Sequence, residues 1–127
     1  MKKIICLSTD KAVYPSSLMG ITKAGMEKIA LSKAKEQNNT QIVITRFCNL
    51  LISNGSVVPL FIDQIKNNKP LTITNPNMTR FFMSLNDALD LIEEALFKGK
   101  NGDIYIKKAF SCSIKFLANS IKELLNV

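Results

Sequence analysis

A chain of 127 residues with 46% hydrophobic residues has the length of about one domain and enough apolar material to fill a core. Seventeen Lys and Arg against ten Asp and Glu give a net charge of +7, but the lysines are scattered from Lys2 to Lys122, which argues against a nucleic-acid surface. The absence of histidine removes histidine-bearing zinc sites and Ser-His or Cys-His nucleophile pairs from consideration. Three widely spaced cysteines (Cys6, Cys48, Cys112) point to reduced thiols. No apolar run reaches a membrane span, and the four apolar residues after Met1-Lys2-Lys3 are too few for a signal peptide. A soluble, cytoplasmic protein is expected.

Residues 4–7 (Ile4-Ile5-Cys6-Leu7) are apolar without alternation, as in a parallel strand covered on both faces. Ser8-Thr9-Asp10-Lys11 follows at once, and polar residues just beyond a strand are where open α/β sheets bind ligands. Residues 10–17 read as a loop with Ser16 or Ser17 as a helix cap, and a helix then runs to about Gln37 before the turn at Asn38-Asn39. On it, Met19, Lys23, Met26 and Ala30 share a face, which places a lysine within an apolar stripe. Residues 41–47 form the next continuous apolar strand, completing a βαβ unit. Residues 48–55 are a loop that sets Asn49 level with Asp10 and Lys11.

Ser56 can cap a helix with Val58, Phe61, Ile62 and Ile65 inward. Residues 71–74 alternate as a short strand, and residues 78–83 form a second extended piece carrying Arg80. After Ser84 comes the clearest amphipathic helix, with Leu85, Ala88, Leu89, Ile92, Ala95 and Leu96 inward. A strand at 103–107 and a helix at 113–125, with Ile114, Leu117, Ile121 and Leu124 inward, complete the order β-α-β-α-β-β-α-β-α. This is an α/β chain.

Four ordered blocks then carry a resemblance. Ser8-Thr9-Asp10-Lys11-Ala12-Val13-Tyr14-Pro15 with Met19-Gly20 and Lys23, Arg46-Phe47-Cys48-Asn49, Gly55-Ser56-Val57-Val58-Pro59-Leu60-Phe61, and the pair Pro70-Leu71-Thr72-Ile73-Thr74 and Met78-Thr79-Arg80-Phe81-Phe82-Met83 resemble the extended short-chain dehydrogenase/reductases acting on nucleotide sugars. The nearest group is the UDP-N-acetylglucosamine 4,6-dehydratases and 5-epimerases of polysaccharide biosynthesis. The resemblance implies a Rossmann-like sheet ending within residues 1–55 and a mainly substrate-binding part over 56–127, together one partial domain.

It also implies roles. NAD(P) takes a hydride from C4 of the sugar, and the C5 proton of the resulting 4-keto sugar becomes removable. Lys11 matches the base for that proton and must be neutral to act. Asp10 matches the acid that protonates the departing 6-hydroxyl. Thr9 matches a hydrogen bond to the sugar near C4, and Lys23 a contact to the nicotinamide ribose. Asn49 and Ser56 match substrate contacts, Arg80 the diphosphate, and Thr72 and Thr74 the uridine segment.

Departures narrow this. Met19 stands where the usual tyrosine would be, as in the Met-Gly-x-x-Lys branch of the family, and a thioether shuttles no proton. Tyr14 is off the helical spacing to Lys23 and makes a poor substitute. Cys48 replaces a glycine and Asn54 an arginine. No Gly-x-Gly-x-x-Gly or Gly-x-x-Gly-x-x-Gly occurs in the chain, so the loop that holds the NAD(P) pyrophosphate is not among its residues.

The resemblance therefore implies the carboxy-terminal part of a longer enzyme, truncated or split, working with a separate NAD-binding half. Two other readings are a non-catalytic remnant and a weak UDP-sugar-binding module. The helix after Ser17 is of the type that dimerises in this superfamily, which makes self-association the other partner expectation. The 127 residues alone are expected to bind no NAD(P)+, and a micromolar dissociation constant in a calorimetric titration would refute that.

Overall fold

The structure is a computed structural model that describes residues 2–36 and 39–126. Its elements are β1 (Lys3–Thr9), a 3-10 turn (Asp10–Ala12), α1 (Leu18–Glu36), β2 (Gln41–Phe47), β3 (Asn49–Leu50), α2 (Val57–Lys66), β4 (Thr79–Met83), α3 (Leu85–Lys98), β5 (Ile104–Ile106), β6 (Phe110–Ser113) and α4 (Ile114–Leu124). The chain divides into two units, Met1–Cys48 with Asn86–Lys108, and Asn49–Leu85 with Ala109–Val127. No helix among the described residues is long and apolar enough to cross a membrane.

The first unit is a parallel sheet in the order β1-β2-β5, with Ile4 opposite Ile42, Thr9 opposite Phe47, and Ile44 opposite Ile104. The continuous apolar run of β2 is explained by its central place, since Val43, Ile44 and Thr45 have no exposed surface. On one face, Ala30 and Ala34 of α1 pack on Ile42 and Ile44, joined by Cys6, Leu31 and Ile104. On the other, a Cβ at Gly99, just past α3, would come within 3.0 Å of both Val43 methyls. Lys3 Nζ donates to the carbonyls of Leu96 and Gly99, both at 2.7 Å, meeting the negative end of α3 with a cation.

β1 differs from its expected burial on both faces. It lies at the sheet edge, and Ile4 and Leu7 are 38% and 48% exposed. An apolar run marks a strand suited to an interior place, but the neighbours available decide whether it gets one.

The stripe on α1 is also shifted. Its buried residues are Gly20, Glu27, Ala30 and Ala34, while Met19 is about half exposed. Glu27 holds its place in the stripe because it is fully engaged. Its Oε1 accepts from Ser8 Oγ of β1 at 2.5 Å and from Arg46 Nε of β2 at 2.9 Å, and its Oε2 accepts from Arg46 Nη2 at 2.7 Å. The expected helix end near Gln37 and Asn38 lies outside the described residues.

In the second unit β3 runs parallel to β4, and β4 antiparallel to β6, with Arg80 opposite Cys112. Val58 and Phe61 of α2 pack on Ala118 and Ile121 of α4, with Ile62, Ile65, Leu71, Ile73 and Leu117 around them. The strand expected at 71–74 does not form. Leu71 and Ile73 do face the core, but the Thr72 N–H donates to Gln64 Oε1 at 3.1 Å, and Gln64 Nε2 donates to Thr72 Oγ1 at 2.8 Å. A glutamine side chain takes the part of a neighbouring strand. Two short strands arise where loops were expected, because β3 and β6 are defined by β4 rather than by their own residues.

Two helix faces also turn from expectation. α3 buries Ala88, Leu91 and Ala95, leaving Leu85, Leu89 and Leu96 exposed, and α4 leaves Leu124 80% exposed. Ser56 starts α2 but gives it no side-chain cap, its Oγ accepting instead from the Ser53 N–H at 3.2 Å. Ser17 and Ser113 do cap their helices, accepting from the N–H groups of Gly20 and Phe116.

Thr45 Oγ1 is buried without a hydrogen-bond partner among the described residues. Thr45→Val is expected to stabilise the chain by about 1 kcal/mol, seen as a melting temperature higher by a few degrees.

The Arg46 guanidinium, helped by Ser8, holds the Glu27 carboxyl below the usual carboxylate range against the opposing effect of burial. The unfolded chain therefore binds the proton more readily, and this stabilisation is fully present above the ordinary value of 4.5 and lost as pH falls through the lower folded value. Urea titrations between neutral and acidic pH are expected to show a smaller acid-induced loss in Glu27→Gln than in the unsubstituted chain.

Candidate active site

The candidate chemistry of the first unit sits where β1 stops pairing. Thr9 is the last strand residue, extended at φ −144° and ψ 155°, and its Oγ1 accepts from the Lys11 N–H at 3.4 Å. That contact starts the 3-10 turn, which closes when the Val13 N–H donates to the Asp10 carbonyl at 3.1 Å. Ala12, small and buried, anchors the turn, so Asp10 and Lys11 are held at the strand end.

Asp10 Oδ1 accepts from Thr9 Oγ1 at 2.9 Å and from Lys11 Nζ at 3.1 Å. The ion pair is only partly buried, with side chains 38% and 36% exposed for Lys11 and Asp10. The Asp10 carboxylate thus meets the Thr9 hydroxyl and the Lys11 side chain at once and remains accessible to a ligand.

Gly20 sets the approach of α1 to this turn. A Cβ there would lie 2.5 Å from the Lys11 carbonyl oxygen, a contact only glycine avoids. One turn later Lys23 Nζ donates to the Leu7 carbonyl at 2.8 Å, using one of the three donors of its ammonium. Met19 is half exposed on the first turn of the helix. Tyr14 is 95% exposed on the preceding loop, with a left-handed φ of 53° that is strained for a tyrosine.

Cys48 follows the end of β2. Burial pushes its thiol up, and the Asp10 charge adds to that effect, so the thiol is protonated near neutral pH.

The second unit holds the remaining candidates. Asn49, on β3, donates from Nδ2 to the Phe81 carbonyl at 2.8 Å. Arg80, on β4, is exposed, and its Nη1 donates to the Thr79 carbonyl at 2.9 Å. Thr72 is turned to Gln64, Thr74 is exposed beyond it, and Ser56 stands at the start of α2.

Thr9, Asp10 and Lys11 are therefore brought into one cluster, and Lys23 joins the same strand end through Leu7. Three structural supports were missed from the sequence: Glu27, Gln64 and the Gly20 contact. The signal for Glu27 was available, since it follows Lys23 by four residues and so shares its helix face, where a carboxylate needs a partner. Gln64 carried no comparable signal, because its partner Thr72 lies beyond the helix end.

Comparisons with known proteins agree with this architecture. A UDP-glucose 4-epimerase from Rickettsia felis is 51% identical over 124 residues, covering 96% of this chain and 36% of its own length. The chain thus spans little over a third of the curated relatives it matches. The X-ray structure of Pen from Bacillus thuringiensis superposes with a TM-score of 0.92 at 35% identity, covering 99% of this chain and 40% of its own. The dTDP-glucose 4,6-dehydratase of Bacillus anthracis, solved in complex with NAD, shares the fold with a TM-score of 0.88 at 22% identity, covering 98% of this chain and 46% of its own. These likenesses bear out the Rossmann-like α/β reading. The family profile described as polysaccharide biosynthesis protein matches residues 1–127, and the chain belongs to that family.

Proposed function

We propose that this chain carries the acid–base and substrate-holding residues of a nucleotide-sugar-modifying enzyme of the UDP-N-acetylglucosamine 4,6-dehydratase/5-epimerase type. The contact between Asp10 and Lys11 at a parallel strand's carboxyl end carries the reading. Elimination across C5 and C6 needs a base for the C5 proton and an acid for the departing hydroxyl. Lys11, as the free amine, takes the C5 proton. Asp10, as the carboxylic acid, gives a proton to the C6 oxygen, which leaves as water. Elimination leaves the two as the ion pair of the structure, and a proton passing from Lys11 to Asp10 across their 3.1 Å contact restores the amine and the acid. Thr9 hydrogen-bonds the sugar near C4. Arg80 faces the diphosphate, and Asn49, Ser56, Thr72 and Thr74 serve the rest of the substrate.

The cofactor of this reading is NAD(P). Among the described residues the Lys23 ammonium gives one donor to the Leu7 carbonyl, and its further donors suit the nicotinamide ribose. When bound, the cofactor supplies a hydride acceptor for C4. The pyrophosphate contacts come from residues outside these 127, in a separate glycine-rich half.

A second reading is 4-epimerisation, favoured by the name of the Rickettsia felis relative. It needs hydride removal and return at C4 but leaves the C5 proton in place.

Supplying a UDP-4-keto-6-deoxyhexose in deuterated water bypasses the cofactor and separates the two. Deuterium is expected at C5, with exchange slowed about a hundredfold or more in Lys11→Ala. An unlabelled C5 with the unsubstituted chain would defeat the dehydratase/5-epimerase reading in favour of 4-epimerisation.

A further inference from the structure

The geometry points to Glu27 as a positioning residue that sets where Lys23 stands relative to the Thr9-Asp10-Lys11 turn. This rests on the reading of those residues as the reacting and cofactor-facing groups.

Glu27 is 5% exposed, in a helix stripe otherwise made of Gly20, Ala30 and Ala34. A buried charge has to be compensated, and an apolar residue of similar volume often serves stability at least as well. Stability alone is therefore a poor reason for a carboxylate here. Its contacts suggest another one. Ser8, which donates to it, directly precedes Thr9. Arg46, which donates twice, is the ladder partner of Ser8 on β2. A planar guanidinium fork fixes the orientation of the carboxylate as well as its position.

Glu27 follows Lys23 by four residues, so both lie on one face of α1. Lys23 reaches Leu7 while Glu27 reaches Ser8, so adjacent helix turns grip adjacent residues of β1. Two such grips fix how far α1 can slide or roll over the strand end. With one removed, Lys23 pivots on the other. The Glu27 carboxyl, held low by Arg46, stays ionised at neutral pH, which keeps the grip closed.

The test reads the lysine itself, on the 127-residue chain, so it is independent of whether nucleotide-sugar turnover is found. The chain is treated with limiting acetylating reagent and each lysine is quantified by peptide mass spectrometry, with exposed Lys35 and Lys66 as internal controls. Ser8→Ala removes the strand grip and Glu27→Gln weakens the fork. Both are expected to raise Lys23 acetylation by about fivefold, the factor for one hydrogen bond of ~1 kcal/mol, with Lys35 and Lys66 unchanged. A lower melting temperature with unchanged Lys23 reactivity in Ser8→Ala would make the contacts purely structural and overturn the assignment. Loss of the folded circular-dichroism signal in Ser8→Ala, which deletes one oxygen, would overturn it too by making the contacts a requirement for folding.

Discussion

A buried ion pair between one helix and the sheet beneath it is the constraint on which the first unit depends. Glu27 and Arg46 are 6% and 19% exposed at their side chains, and each would be costly to leave alone. Removing one partner of such a pair typically costs ~3–5 kcal/mol, against a total domain stability of ~5–15 kcal/mol. The other helix pairs are of a different kind. Lys33–Glu36 and Lys98–Glu94 are exposed, screened and held by flexible side chains. Glu27 is the one that touches two strands and their helix at once.

That constraint bears on chemistry through its position. Ser8 is the buried residue of β1, Thr9 closes the ladder opposite Phe47, and the three residues after Thr9 form the turn that carries Asp10 and Lys11. A strand end is rigid on one side and open on the other, which suits groups that must be held yet reached. Gly20 allows the helix to close on this turn to a distance no side chain would permit. The proposed site is therefore supported by three close fits: a carboxylate fork below, a glycine contact behind, and the Asp10–Lys11 pair in front.

The second unit is organised by substitution of one kind of pairing for another. Its segment at 71–74 has the alternation of a strand and buries the expected residues, Leu71 and Ile73, without entering a sheet. Gln64 satisfies the backbone that a ladder would have satisfied. β3 and β6, by contrast, have no alternating pattern long enough to notice and become strands because β4 offers them partners.

How much was legible follows from the range of each interaction. Local patterns were sufficient for the apolar strands at 4–7 and 41–47, the helices and the α/β class, because periodicity and turn residues act within a few positions. The motif Ser8-Thr9-Asp10-Lys11 marked a polar strand end for the same reason. How far each strand would be covered, which face of α3 would be buried, and that Lys23 would meet the Leu7 carbonyl were decided only in three dimensions. Ile4 and Ile44 look alike in sequence, yet one lies 38% exposed at an edge and the other has no exposed surface. The sequence could mark Glu27 only as a carboxylate on the Lys23 face, and its partners Ser8 and Arg46, 19 residues away on either side, are supplied by the fold. The sequence by itself determined the elements and the chemical groups available. The tertiary structure decided their neighbours, because burial, pairing and the cost of an uncompensated charge depend on contacts between residues far apart along the chain.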